Sequence, residues 1–221
     1  MNQSILSLLV LAGIAIFLIL RLRNVLGTRE GFEKPRVDVD DSLSTKRGPQ
    51  TFDVIEGGVD RDIADNVAEG SRAVDELAAM KRADPTFNVT EFLSGARSAY
   101  EMILMAFEHD DLDSVRDFLA DEVYDAFDSV VQTRREQGLQ VQAQFVGLRE
   151  LQLIDAEFDP ATREGEVKIR FVAELISSVH DAEGKLIEGD PTEIKRQKDI
   201  WTFARVMGSD DPNWQLVATG A

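Results

Sequence analysis

The 221-residue chain has no cysteine and only two histidines, His109 and His180. The missing thiols exclude disulfides, thiolate nucleophiles, cysteine-ligated zinc and iron–sulfur clusters. Two histidines are too few for a histidine-rich metal site. A histidine that acts as a catalytic base needs a nucleophile beside it, and neither histidine has one nearby in sequence. Glycine-rich phosphate loops and the HExxH and GxSxG motifs are absent as well. We therefore expect a protein that is not an enzyme and holds no metal or cofactor.

Basic residues are also scarce, because 24 Lys and Arg stand against 41 Asp and Glu and leave a net charge of -17. A surface this acidic repels nucleic acid and anionic lipid headgroups. We therefore expect no nucleic-acid partner, and a protein partner whose surface is basic or neutral.

Charged side chains are missing from the first twenty residues, and residues 5–20 are apolar except for Ser7. The run nears the roughly 20 residues that cross a bilayer as a helix. A cleaved signal peptide would carry basic residues before the run, and a buried core helix is rarely so uniformly apolar, so a membrane anchor over residues 1–23 is favoured over both. Because arginines only follow the run, the positive-inside rule places the rest of the protein in the cytoplasm. The predicted anchor residues are Ile5, Leu9, Ile14, Phe17, Leu20, Arg21 and Arg23.

Two further segments precede the main domain. Residues 24–58 combine glycines, prolines and mixed charges with few apolar side chains, which is typical of a flexible linker. Apolar residues then recur at spacings of three, four and seven, opposite an acidic face, which predicts one acidic amphipathic helix over residues 59–83. This helix either docks on its own domain or binds a partner protein. Its apolar positions are Val59, Ile63, Val67, Val74, Leu77 and Met80.

The pair Asp84-Pro85 breaks the helical pattern, and we place the start of a folded domain, residues 84–221, at this break. Helical spacing dominates first, with a long helix over 92–107, a short one over 112–119, and a third that begins near Asp121 and closes at Gly138. The spacing then changes to two. Helices followed by antiparallel strands are the α+β pattern, and a bent sheet wrapped on helices forms a cone with an open end. The predicted strands cover residues 141–145, 150–158, 167–175, 198–207 and 214–218.

Three segments resemble the Tim44-like domain, namely FLSGARSAYEMILMAFEHDDLDSVRDFLADEVYDAF, RFVAELISSVHDAEGKLIEGDP and DIWTFARVMGSDDPNWQLVAT. This is the C-terminal domain of the scaffold subunit that holds the import motor at the mitochondrial inner-membrane presequence translocase. The resemblance covers about residues 87–219 and implies a fold like nuclear transport factor two, in which a curved antiparallel sheet and three helices enclose an apolar pocket. It also implies a bacterial inner-membrane location, since bacterial relatives carry one N-terminal membrane helix. The long basic region that contacts the motor chaperone in the mitochondrial scaffold is missing, so the motor-scaffold role itself is not implied.

We expect aromatic side chains and one arginine to line the pocket of such a cone. The aromatic residues serve either as ordinary core packing or as the lining for a lipid tail or peptide, and Arg205 either pairs with a carboxylate of the fold or binds a ligand's carboxylate or phosphate. The sequence thus predicts a membrane-tethered adaptor with another inner-membrane or translocation protein as partner, and a lipid-binding or hydrophobic-ligand module as the alternative. An enzyme of this fold needs an Asp–His or Tyr–Asp pair in its pocket, and the sequence indicates none. The predicted pocket residues are Phe92, Tyr100, Phe127, Phe145, Phe171, Trp201, Phe203 and Arg205.

Overall fold

The computed structural model describes residues 60–68 and 70–220, so the predicted anchor (1–23) and the predicted linker (24–58) lie outside this part. In the described residues, helices come first and a four-stranded antiparallel sheet follows. The predicted α+β class is therefore confirmed. None of the helices in residues 60–68 and 70–220 has the length and apolar character needed to cross a membrane.

Four α-helices, one 3-10 helix and four strands make up the described part of the chain. The helices are α1 (Arg61–Ala64), α2 (Ala73–Ala83), α3 (Val89–Glu108), the 3-10 helix (Leu112–Phe118) and α4 (Asp121–Glu136). The strands are β1 (Gln140–Asp159), β2 (Glu164–His180), β3 (Leu186–Val206) and β4 (Gln215–Gly220). They pair in the order β1-β2-β3-β4, with every neighbouring pair antiparallel.

The strands predicted over 141–145 and 150–158 are one long strand, β1. Its pairing with β2 shifts register three times, between Phe145 and Gly147, between Leu148 and Glu150, and again before Asp155. Each extra residue resets the alternation of the two faces and bends the strand. A prediction from the two-residue alternation of side chains therefore gives two strands, whereas the structure has one curved strand.

The segment predicted as one helix over 59–83 is two helices. α1 ends after a single turn, and Gly70, with φ of 78°, lies between it and α2. A positive φ interrupts a helix and suits glycine. The apolar stripe still points inward, because Ile63, Leu77 and Met80 are at most 1% exposed and share one core with α3 and the sheet. The expected boundary at residue 84 therefore does not separate two packed units.

Asp62 fixes α1 to the first turn of α3. Its carboxylate accepts hydrogen bonds from the backbone N–H groups of Val89 at 2.7 Å and Thr90 at 2.9 Å, and from the Thr90 hydroxyl at 2.7 Å. Lys81 of α2 pairs with the same carboxylate at 2.7 Å. Two N–H groups that a helix start leaves unpaired are thus satisfied by a negative charge. Burial acts to raise the pKa of Asp62, but the bonds from Lys81, Thr90 and Val89 outweigh it and lower the pKa to about 2.

Asp62→Asn should remove a pH-dependent part of the stability. Because the folded pKa of about 2 lies below the ordinary value of 3.8, the carboxylate stabilises the fold above about pH 4 and loses this effect as the pH falls toward 2. We expect the variant to be less stable by about 1–2 kcal/mol at pH 7 in urea unfolding, with a gap that narrows from pH 5 downward. Asp65→Asn, at an exposed neighbouring carboxylate, is the matched control. A gap of equal size at pH 7 and pH 3 would contradict this account.

Candidate functional site

Three of the predicted pocket residues form an aromatic cluster inside the core. The ring of Tyr100, from α3, stacks on Phe171 of β2 with centroids 4.3 Å apart, and lies 4.7 Å from the ring of Trp201 of β3. Tyr100 and Phe171 are fully buried, and Trp201 is 4% exposed. These rings hold α3 against the middle of the sheet.

Tyr100 also makes a hydrogen bond that the sequence did not indicate. Its hydroxyl donates to Asp199 Oδ2 at 2.5 Å, and Gln197 Nε2 donates to the same oxygen at 2.9 Å. Burial raises the pKa of Asp199 and these two bonds only partly offset it, while burial and the Asp199 partner together raise the pKa of Tyr100. Tyr100 and Asp199 therefore form a buried Tyr–Asp pair. Neither residue lines the cleft described next, so the pair joins α3 to β3 inside the fold.

The candidate site is a cleft of about 410 Å³ beside this cluster. Its walls come from the first half of α3, the end of the 3-10 helix, β3 and the loop before β4. The ring of Phe92 lies 4.6 Å from that of Trp214 and 6.2 Å from that of Phe203. A concave, mostly apolar surface of this volume is typical of sites for small ligands or apolar side chains. The aromatic lining residues are Phe87, Phe92, Phe118, Phe203 and Trp214.

Gly95 has no side chain and therefore leaves space on the α3 wall of the cleft. A Cβ atom built at this position meets no heavy atom within 4 Å, and the neighbouring lining residues Ala96 and Ala99 are also small. A Cβ atom at position 95 would therefore stand in open space at the cleft.

Arg205 lies in the cleft wall and is held by the protein itself. Its guanidinium pairs with the Asp84 carboxylate and donates to the Pro212 carbonyl oxygen at 3.3 Å. It also lies 5.3 Å from the centroid of the Trp214 ring. The ion-pair interpretation of Arg205 is thus confirmed. Its Nε is buried and has no hydrogen-bond partner in the described part of the chain.

Asp84 collects four donors at this point. Besides Arg205, it accepts bonds from the Thr86 N–H at 3.0 Å, the Thr86 hydroxyl at 2.6 Å and the Gly208 N–H at 3.2 Å. Burial acts to raise the pKa of Asp84, but these bonds and the positive charge of Arg205 outweigh it and lower the pKa. The carboxylate therefore ties the end of α2 to the loop that follows β3.

The structure does not bring all the predicted pocket residues together. Phe92, Phe203 and Arg205 line the cleft, whereas Tyr100, Phe171 and Trp201 lie in the core cluster. Phe145 is half-buried, with its ring 6.4 Å from that of Tyr100. Phe127 lies elsewhere, on α4, with its ring 4.8 Å from that of Phe107.

The predicted pocket residues do not include eleven of the lining residues, among them the aromatic residues Phe87, Phe118 and Trp214. Two of them share a local signal, since Phe87 ends the motif DPTF and Trp214 ends the motif DPNW. Each lies just before a regular element, Phe87 before α3 and Trp214 before β4. Helical or strand spacing therefore gives little indication that these two rings line a cleft.

Residues 73–221 match the Tim44-like domain family. The chain belongs to this family. The matched region begins at the start of α2 and not at residue 84, and it contains every residue that lines the cleft. The resemblance noted in the sequence is thereby confirmed.

Similar proteins include the mitochondrial import inner membrane translocase subunit TIM44 of Homo sapiens and of Rattus norvegicus, each 25% identical over 149 residues. The mouse subunit is 24% identical over the same length. The alignment covers 66% of this chain and 32% of each relative, so the chain spans about a third of the length of the curated relatives it matches. A crystal structure of the intermembrane space region of chloroplast protein ARC6 aligns with 59% of this chain and 92% of that chain, at 10% identity and a TM-score of 0.38. That similarity is too low to inform the fold or the function.

Proposed function

We propose that this chain is a membrane-tethered, non-enzymatic adaptor at the inner membrane of a bacterium. Residues 1–23 anchor it, residues 24–58 form the tether, and the Tim44-like domain lies in the cytoplasm. Its partner is another protein of the inner membrane or of the translocation machinery, and it aids translocation, membrane-complex assembly or quality control. The observation that carries this proposal is the match of residues 73–221 to a family whose similar members are named as subunits of an import translocase. The four antiparallel strands packed on α3 and α4 support a cone like that of nuclear transport factor two.

We place the contact with the partner in the aromatic cleft. Large rings in a concave surface bury much apolar area at little entropic cost, which is typical of the residues that dominate protein interfaces. Asn88, Glu91 and Asn213 line the same cleft and provide polar groups at which a bound segment can be oriented. The occupant in this proposal is one or two apolar side chains of a partner protein.

A lipid or another hydrophobic ligand is the second candidate for the same cleft. A volume of about 410 Å³ suits a short aliphatic or aromatic group. The positive charge of Arg205 in the cleft wall would attract the carboxylate or phosphate of such a ligand.

Gly95→Leu tests both candidates, because the new side chain fills the cleft. We expect its thermal stability to be unchanged or raised, since leucine favours a helix over glycine by about 1 kcal/mol. We expect recovery of the occupant to fall at least tenfold. Ser94→Leu is the matched control, because Ser94 is exposed on the same helix and does not line the cleft. The full chain is purified from detergent-solubilised membranes, its proteins are identified by mass spectrometry, and its lipids are extracted.

The outcomes separate the two candidates. A protein that copurifies with the wild type and Ser94→Leu, and is lost with Gly95→Leu, supports the adaptor. A lipid with the same pattern and no specific protein supports the second candidate. Equal recovery of all components with the three chains would rule out the cleft as the binding site.

A further inference from the structure

Most unpaired edges of the sheet are protected. At β4, Leu216 forms a parallel bridge with Leu119, and the Ala120 N–H donates to the Leu216 carbonyl at 3.0 Å. Near the end of β1, the Phe158 N–H donates to Glu76 of α2 at 3.2 Å. Uncovered strand edges attract other strands, and natural proteins block them with such contacts.

The first half of β3 extends beyond its pairing with β4, which reaches only from Ile200 to Ala204. This stretch is protected by its sequence. Pro191 has no N–H to donate, Gly189 has a φ of 82°, and residues 191–194 bulge out of register with β2. Charged side chains follow along the same stretch, which also discourages pairing: Glu188, Asp190, Glu193, Lys195, Arg196 and Lys198.

The exception is the start of β1, residues 140–145, which we call the open edge. These residues pair with β2 on one side, and no strand in the described part of the chain pairs with their other side. On that outer side the His109 ring approaches the Ala143 carbonyl, with Nε2 at 3.2 Å from the oxygen. His109 itself is exposed at the end of α3.

The open edge lies in an uncharged part of an otherwise highly charged chain. Residues 137–148 contain no Asp, Glu, Lys or Arg, although 29% of all residues are charged. The segment also lacks proline, and Val146, next to the edge, is 43% exposed. Its glutamines Gln140, Gln142 and Gln144 are exposed, and the alternate residues are half-buried. An uncharged, strand-forming edge without proline is a template for another strand.

We propose that the open edge pairs with the open edge of a second copy of this chain, as an antiparallel dimer whose two sheets become continuous. Two chains of charge -17 repel each other, so they associate best through a surface that carries no charge of either sign. A partner of opposite charge would gain from an acidic edge, and this edge has no acidic residue. The absence of both signs therefore favours a second copy as the occupant.

The open edge is also complementary to itself. A twofold axis at Ala143 places Val141 opposite Phe145 of the other copy on one face, and Gln142 opposite Gln144 on the other face. Cross-strand pairs of aromatic with β-branched residues, and of hydrogen-bonding amides, stabilise antiparallel pairing. The same patch then serves both copies, as twofold dimers require.

The absence of native cysteine makes Ala143→Cys a clean test, because the new thiol is the only one in the chain. Residues opposite each other in antiparallel strands have Cα atoms about 4.5–5.5 Å apart, within the range that a disulfide bridges. We expect the full chain in isolated membranes to form a linked dimer on mild oxidation. Gln140→Cys is the control, since three residues on each side of the axis separate the two thiols by about 20 Å. It should stay monomeric on a non-reducing gel.

Charge at the axis gives a second test. Gln142→Glu/Gln144→Glu places two carboxylates opposite each other on both sides of the axis, and should weaken dimerisation at least tenfold. Gln142→Lys/Gln144→Glu places opposite charges there and should restore it. The masses are measured by light scattering of the full chain in detergent, and thermal unfolding confirms that these exposed substitutions leave the fold intact. His109→Ala should strengthen the dimer, because it removes the side chain that meets the Ala143 carbonyl.

The proposal is overturned if Ala143→Cys links no better than Gln140→Cys. It is also overturned if the Glu/Glu variant keeps the mass of the wild type over the whole concentration range.

Discussion

A fragment that begins at residue 84 should fail to fold, whereas a fragment that begins at residue 60 should unfold in one cooperative transition. Ile63, Leu77 and Met80 are at most 1% exposed and belong to the core that α3 and the sheet form. Losing one buried aliphatic side chain costs about 2–5 kcal/mol, and a typical domain is stabilised by only about 5–15 kcal/mol. The loss of all three, together with the Asp62 contacts to α3, exceeds what the remaining fold can absorb.

Near-ultraviolet circular dichroism and urea unfolding of the two fragments check this expectation. Leu77→Ala in the longer fragment should by itself cost about 2–5 kcal/mol. Arg82→Ala, at an exposed position of the same helix, should leave the midpoint nearly unchanged. A cooperative transition in the fragment 84–221, with a midpoint close to that of the longer fragment, would show that α1 and α2 are appendages to the core.

The local features of this fold are readable from the sequence because they repeat at short range. Phe92, Ala96, Tyr100 and Ile103 follow helical spacing, and all four are buried on one face of α3. The change to period two after Gly138 marks the start of the sheet, where φ of 67° at this glycine ends α4. The α+β class follows from these two periods and their order along the chain.

The candidate site is harder to predict from the sequence, because contacts between residues that are far apart in the chain create it. Tyr100 and Asp199 are 99 positions apart, and Asp84 and Arg205 are 121 positions apart. Neither pair produces a periodic pattern in the sequence, since each residue is a single polar residue in or next to a helix or strand. An aromatic residue on an inward face is also ambiguous. Trp201 and Phe203 share one face of β3, yet only Phe203 reaches the cleft.

The second large loss of stability that we expect comes from breaking the ion pair between Asp84 and Arg205 beside the cleft. Asp84→Ala should destabilise the domain by about 3–5 kcal/mol, because it leaves the Arg205 charge, 12% exposed, without its carboxylate. Arg205→Met should be less harmful, since Asp84 keeps the donors of Thr86 and Gly208. The double variant should then be more stable than the sum of the two single losses predicts, as expected for residues in one network.

This coupling should depend on pH with a definite sign. The pKa of Asp84 is lowered in the folded state, so the stabilisation is fully present above the ordinary carboxyl pKa of 3.8 and is lost as the pH falls through the folded value. Urea unfolding of the wild type, the two single variants and the double variant should therefore give a larger coupling at pH 7 than at pH 3. Trp214 reports on the same event, because the Arg205 guanidinium lies over its ring. Its fluorescence should change in Asp84→Ala while the domain is still folded. If the losses of stability in the two single variants add up to that of the double variant at both pH values, the pair does not couple α2 to the loop after β3. If the fluorescence is also unchanged, the pair does not shape the cleft wall.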